Sequence, residues 1–87
     1  MAAKISDELT KRLEEAGKIG PQQTVPVIIT VTPGADLTAL EQKGLRIQRI
    51  FENISAVSGT LTASQANELA QLNEVEHIEY DGEVWAL

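Results

Sequence analysis

Apolar positions fall into six blocks after residue 20, and their period changes from block to block. The first, 25–32, reads Val-Pro-Val-Ile-Ile-Thr-Val-Thr. It is β-branched at nearly every position and apolar on both faces, which predicts a strand near the middle of a sheet, with Pro26 near the strand start where a missing N–H is tolerated. Pro33-Gly34 ends it. Asp36 can cap a helix that turns Leu37, Leu40 and Ala39 to the sheet and closes at Gly44. A second strand follows, with Leu45, Ile47 and Arg49 on one side and Arg46, Gln48 and Ile50 on the other; its alternation is imperfect beyond Gln48. Glu52-Asn53 marks a hairpin into the block 54–61, where Val57, Gly59 and Leu61 share one face and Ser58 and Thr60 the other. Gly59 there predicts a bulge or a close approach by a helix. Thr62 with Gln65 forms a capping box ahead of the stripe Ala66, Leu69, Ala70 and Leu72. The last strand needs Val75, Ile78 and Tyr80 inside. Strict alternation from Val75 would select His77 and Glu79 instead, so a bend or shift must intervene.

Ahead of these blocks, Ser6 can cap an opening helix with Asp7 and Glu8 in its first turn and Ile5 packed outside the cap. Leu9, Leu13 and Ala16 give it one narrow apolar stripe, and Gly17 is its expected stop. So thin a stripe predicts weak docking or fraying. Gly20-Pro21-Gln22-Gln23 is a polar connector.

The order strand, helix, strand, strand, helix, strand contains two right-handed crossovers. It predicts an α+β, ferredoxin-like split βαβ fold: a four-stranded antiparallel sheet with two helices on one face, plus the N-terminal helix. The opposite face has no internal cover unless the opening helix packs there. Left uncovered, that face would expose several of Thr30, Thr32, Gln48, Ser58 and Thr60. The organisation expected is an extension and connector over 1–20, the folded domain over 21–83, and a short apolar tail over 84–87.

Composition narrows the function classes. Eighty-seven residues supply one core and no enclosed chamber, so function belongs on a surface or at an end. The formal charge of −6 argues against nucleic acid as a partner. The chain contains no cysteine, which removes disulfides and thiol chemistry. The run at 25–31 is too short for a membrane span, and no signal-like stretch opens the chain, so the expected location is cytoplasmic, with no membrane partner and a monomeric free state. His77 is the lone histidine and has no companion at ligand spacing, so no metal or other cofactor is expected. Ser58, His77 and Asp81 can be written as a trio, but no nucleophile-elbow context surrounds Ser58, and catalysis is not expected.

With Phe51 and Tyr80 the only other aromatics, a closing Val84-Trp85-Ala86-Leu87 is an unusual feature. Three blocks, Val27-Ile28-Ile29-Thr30-Val31, Ile54-Ser55-Ala56-Val57-Ser58-Gly59-Thr60-Leu61-Thr62 and Val75-Glu76-His77-Ile78-Glu79-Tyr80-Asp81, stand in the order and spacing that resembles the propeptide, or inhibitor I9, domain of subtilisin-type serine proteases. The resemblance implies a catalytically silent partner that inhibits, and can help fold, a subtilisin-like protease. Its open sheet face would lie against the enzyme while its last residues enter the substrate cleft. Leu87 would then fill the primary specificity pocket, Ala86 lie under the catalytic histidine, Trp85 follow the rim and Val84 enter the fourth subsite. Glu52, with Asn53 or Glu79, would cap the N-terminus of an enzyme helix. With no protease domain after Leu87, the chain resembles a stand-alone inhibitor more than a propeptide. Two other readings stay open: a ferredoxin-like regulatory or structural module that self-associates or binds a small ligand, and a propeptide detached from its protease.

Overall fold

The computed structural model describes residues 4–82. Its elements are α1 (Asp7–Ile19), β1 (Val25–Val31), α2 (Leu37–Gln42), β2 (Arg46–Phe51), a 3-10 turn (Glu52–Ile54), β3 (Ala56–Leu61), α3 (Ala63–Ala70) and β4 (Val75–Tyr80). The four strands form one antiparallel sheet in the order β2-β3-β1-β4, the arrangement expected of a split βαβ fold. The doubly apolar β1 takes a central place, flanked by β3 and β4.

The pairing register assigns each face. Val25 stands opposite Leu61, Val27 opposite Gly59 and Tyr80, and Ile29 opposite Val57 and Ile78. These side chains point to the helices, where they form one core with Leu40 of α2 and Ala66 and Leu69 of α3. Val27, Ile29, Leu40, Leu61, Leu69 and Ile78 are completely buried. The alternate residues of the same strands therefore point to the other side.

Two bulges correct simple alternation. In β2, Ile47 faces Gly59 and Arg49 faces Ser58, so Gln48 is the extra residue. Arg49 consequently joins Arg46 on the helix-free side and Ile50 returns to the side of Ile47, the reverse of the expected sets. In β4 the extra residue is Glu76, because Thr30 faces His77 while Val31 faces Val75. This is the anticipated shift: it buries both Val75 and Ile78 and sends His77 and Glu79 to the other face. Of the two roles expected of Gly59, the bulge is the one found: the Gln48 bulge lies opposite the Gly59–Ser58 step, and Gly59 admits the neighbouring strand rather than a helix. A Cβ on it would collide with the Arg46 carbonyl oxygen and stand 3.2 Å from Leu45 Cδ1.

The opening helix departs furthest from expectation. Gly17 does not stop it; α1 continues to Ile19, and the Gly20 N–H donates to the Ala16 carbonyl. Nor does it dock weakly. Leu9, Leu13 and Ala16 are buried in the main core, and α1 packs beside α3 against β4 and β1. A narrow stripe suffices because each of its few positions is fully used. The segment before the helix is tied down as well. Ile5 bridges Ile78 in parallel, the Ile78 N–H donates to the Lys4 carbonyl at 2.7 Å, and the Ser6 N–H donates to the Ile78 carbonyl at 3.0 Å. Residues 4–6 thus cover the outer edge of β4 around Ile78, leaving β2 as the unpaired edge among the described residues.

Candidate sheet-face interface

Because α1, α2 and α3 share one face, the other face of the sheet carries no helix among the described residues. It is organised in cross-strand rows. Arg46, Thr60 and Pro26 form the first, and the Asp81 N–H extends it by donating to the Pro26 carbonyl at 3.0 Å. Arg49, Ser58, Ile28 and Glu79 form the second. Phe51, Ala56, Thr30 and His77 form the third.

Most of the middle of this face consists of small or hydroxyl-bearing side chains, while its flanks carry charge of opposite sign. Arg46 and Arg49 are exposed along β2, and Glu79 is exposed along β4. Arg49 leans over the Phe51 ring, 6.0 Å from its centroid, at the outer limit of a cation–π contact. His77 Nδ1 lies 3.5 Å from Glu79 Oε1; both side chains are substantially exposed, so solvent screens the pair. Thr30 and Thr60 are half-buried on this face and Ser58 is buried. Of the other residues expected here, Gln48 occupies the bulge and Thr32 lies beyond the strand, its N–H bonded to the Glu74 carbonyl.

The proposed capping residues divide between two places. Glu52 and Asn53 are exposed on the 3-10 turn after β2, beside exposed Ile54 and Ile50. The turn closes on Ser55, which is held at φ 51°, a left-handed conformation uncommon outside glycine. Glu79 lies across the sheet on β4, three strand spacings or about 14 Å from β2. It cannot share one helix terminus with Glu52. Val84, Trp85, Ala86 and Leu87 lie outside the described residues.

The trio Ser58, His77 and Asp81 is not assembled. Ser58 is on β3 and His77 on β4, with β1 between them and one row of offset. Asp81 is buried two rows from His77 at the opposite end of the face. Among the described residues, no group of three or more His, Asp or Glu side chains is placed to hold a metal ion. No helix among them is long and apolar enough to cross a membrane.

Two surface grooves lie along the borders of the sheet. One, of about 640 Å³, is polar and includes Thr24, Arg46, Thr60, Thr62 and Ser64. The other, of about 320 Å³, is lined by Leu37, Ile50, Phe51, Glu52 and Val57 and reaches between the helix side of the sheet and the turn after β2. Sequence reasoning identified the open face but not its charge division, because the Gln48 bulge decides where Arg49 points. Comparison of the chain with protein-family models and with curated proteins finds no match in either.

Proposed function

We propose that the chain is a proteinaceous inhibitor of subtilisin-like serine proteases that can also assist the folding of its target. The helix-free face lies against the enzyme, and Val84, Trp85, Ala86 and Leu87 enter the substrate cleft as a product-like plug. The observation that supports this reading is a four-stranded sheet face without a helix among the described residues, with β4 the last strand before those residues in the sequence. Asp81 still holds the sheet ladder through Pro26. Six residues from Asp81 to Leu87 can extend about 20 Å, enough to reach from a docked sheet into a neighbouring cleft.

An extended tail can add to enzyme backbone as a strand while alternate side chains enter pockets. Leu87 fills the primary pocket and supplies about 1.5–3 kcal/mol by burial. The folded sheet holds the tail at high local concentration, which a free peptide lacks. In this reading Glu52 and Asn53, exposed on the turn after β2, cap an enzyme helix, and Glu79 contacts the enzyme from the opposite flank.

Titration of a subtilisin-type protease with the intact chain tests the reading, with mass analysis over time to follow cleavage of the body. Deletion of residues 84–87 should abolish inhibition and leave the circular dichroism spectrum nearly unchanged. Full potency after that deletion would refute the tail mechanism, and no inhibition by the intact chain would refute the function.

A further inference from the structure

The helix-free face has a symmetry of charge that a protease partner does not require. In the middle row, Arg49 and Glu79 stand on opposite flanks, with Ser58 and Ile28 between them. In the third row the flanking pair is Phe51 and His77. A two-fold axis parallel to the strands, midway between two stacked sheets, lays β2 of one copy over β4 of the other and keeps each row at its own level. Arg49 then meets Glu79 of the second copy, and the symmetry makes that contact twice. Phe51 meets the second copy's His77 in the same way. A two-fold axis across the strands would instead stack the Arg46 and Arg49 flank on itself, so the charges select one arrangement.

We propose that this face pairs with the same face of a second copy of the chain, in an isologous dimer held in register by two Arg49–Glu79 contacts. Face-to-face sheets pack about 10 Å apart and cross at about 30°. Arg and Glu side chains are long enough to close that gap and absorb the lateral offset at the flanks. The centre suits close approach: Ala56 and Ser58 are small, and half-buried Ile28 supplies apolar surface. Four strands of six or seven residues present about 400 Å² of flat area per copy, below the standard size of a stable complex. The dimer is therefore a weak and reversible one, forming in the micromolar to millimolar range and loosening with salt. It uses the surface assigned above to the protease, so a dimer is a dormant form that must open before that surface is free. The dimer stands or falls without reference to the protease.

Sedimentation equilibrium of the full chain over a concentration series, at low and high salt, measures it directly. Arg49→Glu and Glu79→Arg should each weaken dimerisation tenfold or more, since each places like charges together twice. An equimolar mixture of the two variants should form a heterodimer, because each of its two contacts then joins opposite charges. The double variant R49E/E79R should restore the homodimer. Circular dichroism of each variant separates loss of pairing from loss of fold. A chain that stays monomeric up to about 1 mM at low salt overturns the proposal. So does a dimer indifferent to both reversals, or one whose hydrogen-exchange protection lies away from this face.

Discussion

The two faces of the sheet are written by the same strands, residue by alternate residue, yet they differ in almost every physical respect. Towards the helices, Val25, Val27, Ile29, Val57 and Leu61 are buried in a continuous aliphatic core. On the other side, Thr30, Thr60, Arg49 and Glu79 stand among small side chains with no helix of the described residues above them. The difference teaches where tolerance to change should lie. Stability resides on the first face, and the second is free to be specified by a partner.

The sharpest way to break this contrast is to truncate the covered face. Ile29→Ala should cost about 2–5 kcal/mol, because Ile29 is completely buried between β3 and β4. Leu9→Ala should cost as much, since Leu9 is also completely buried. For a chain of this size each kcal/mol lowers Tm by about 4–8 °C, so thermal melts would detect either change. A Leu9→Ala loss below about 1 kcal/mol would mean that α1 decorates the core rather than completing it.

Gly59→Ala comes next, at about 1–3 kcal/mol in denaturant titrations. The obstacle to its Cβ is the Arg46 carbonyl, a backbone atom inside a strand ladder that cannot swing aside as a side chain would. A neutral substitution would show that β2 can move outward freely, which would also loosen the placement of Arg49 on the open face.

Much of this was legible in the sequence, and the misses have a common cause. Periodicity located all four strands and three helices, and the clash between Val75, His77 and Ile78 announced the β4 bulge before its position was known. The β2 bulge was not legible in the same way. Leu45, Ile47 and Arg49 form a continuous period-two set, and only pairing with Gly59 and Ser58 reveals Gln48 as the extra residue. The opening helix was underestimated because a count of apolar residues does not say how deeply each is buried. Partner-facing residues are the least legible class, since hydroxyls and charges on an open face satisfy the fold equally well in many combinations.

Helix caps lie between the two faces in expected cost. Thr62 accepts from the Gln65 N–H at 3.3 Å, and the Gln65 side chain accepts from the Thr62 N–H at 2.8 Å. Thr62→Ala removes the first bond and leaves one N-terminal donor of α3 to water, for a loss of about 1 kcal/mol. An unchanged midpoint in urea would indicate that packing of Ala66 and Leu69 alone fixes this helix.

The smallest effect is the most discriminating test of the contrast. Glu79→Gln removes the His77–Glu79 contact, which spans 3.5 Å between side chains 39% and 57% exposed. Screening at such exposure limits the pair to a small fraction of a buried one, so unfolding free energy should change by less than about 0.5 kcal/mol in dilute solution. The same substitution removes one charge from each symmetric contact of the dimer. A change of several kcal/mol in the dilute monomer would assign Glu79 to the fold. A change confined to association would instead place its role between molecules, where the charge division of the open face points.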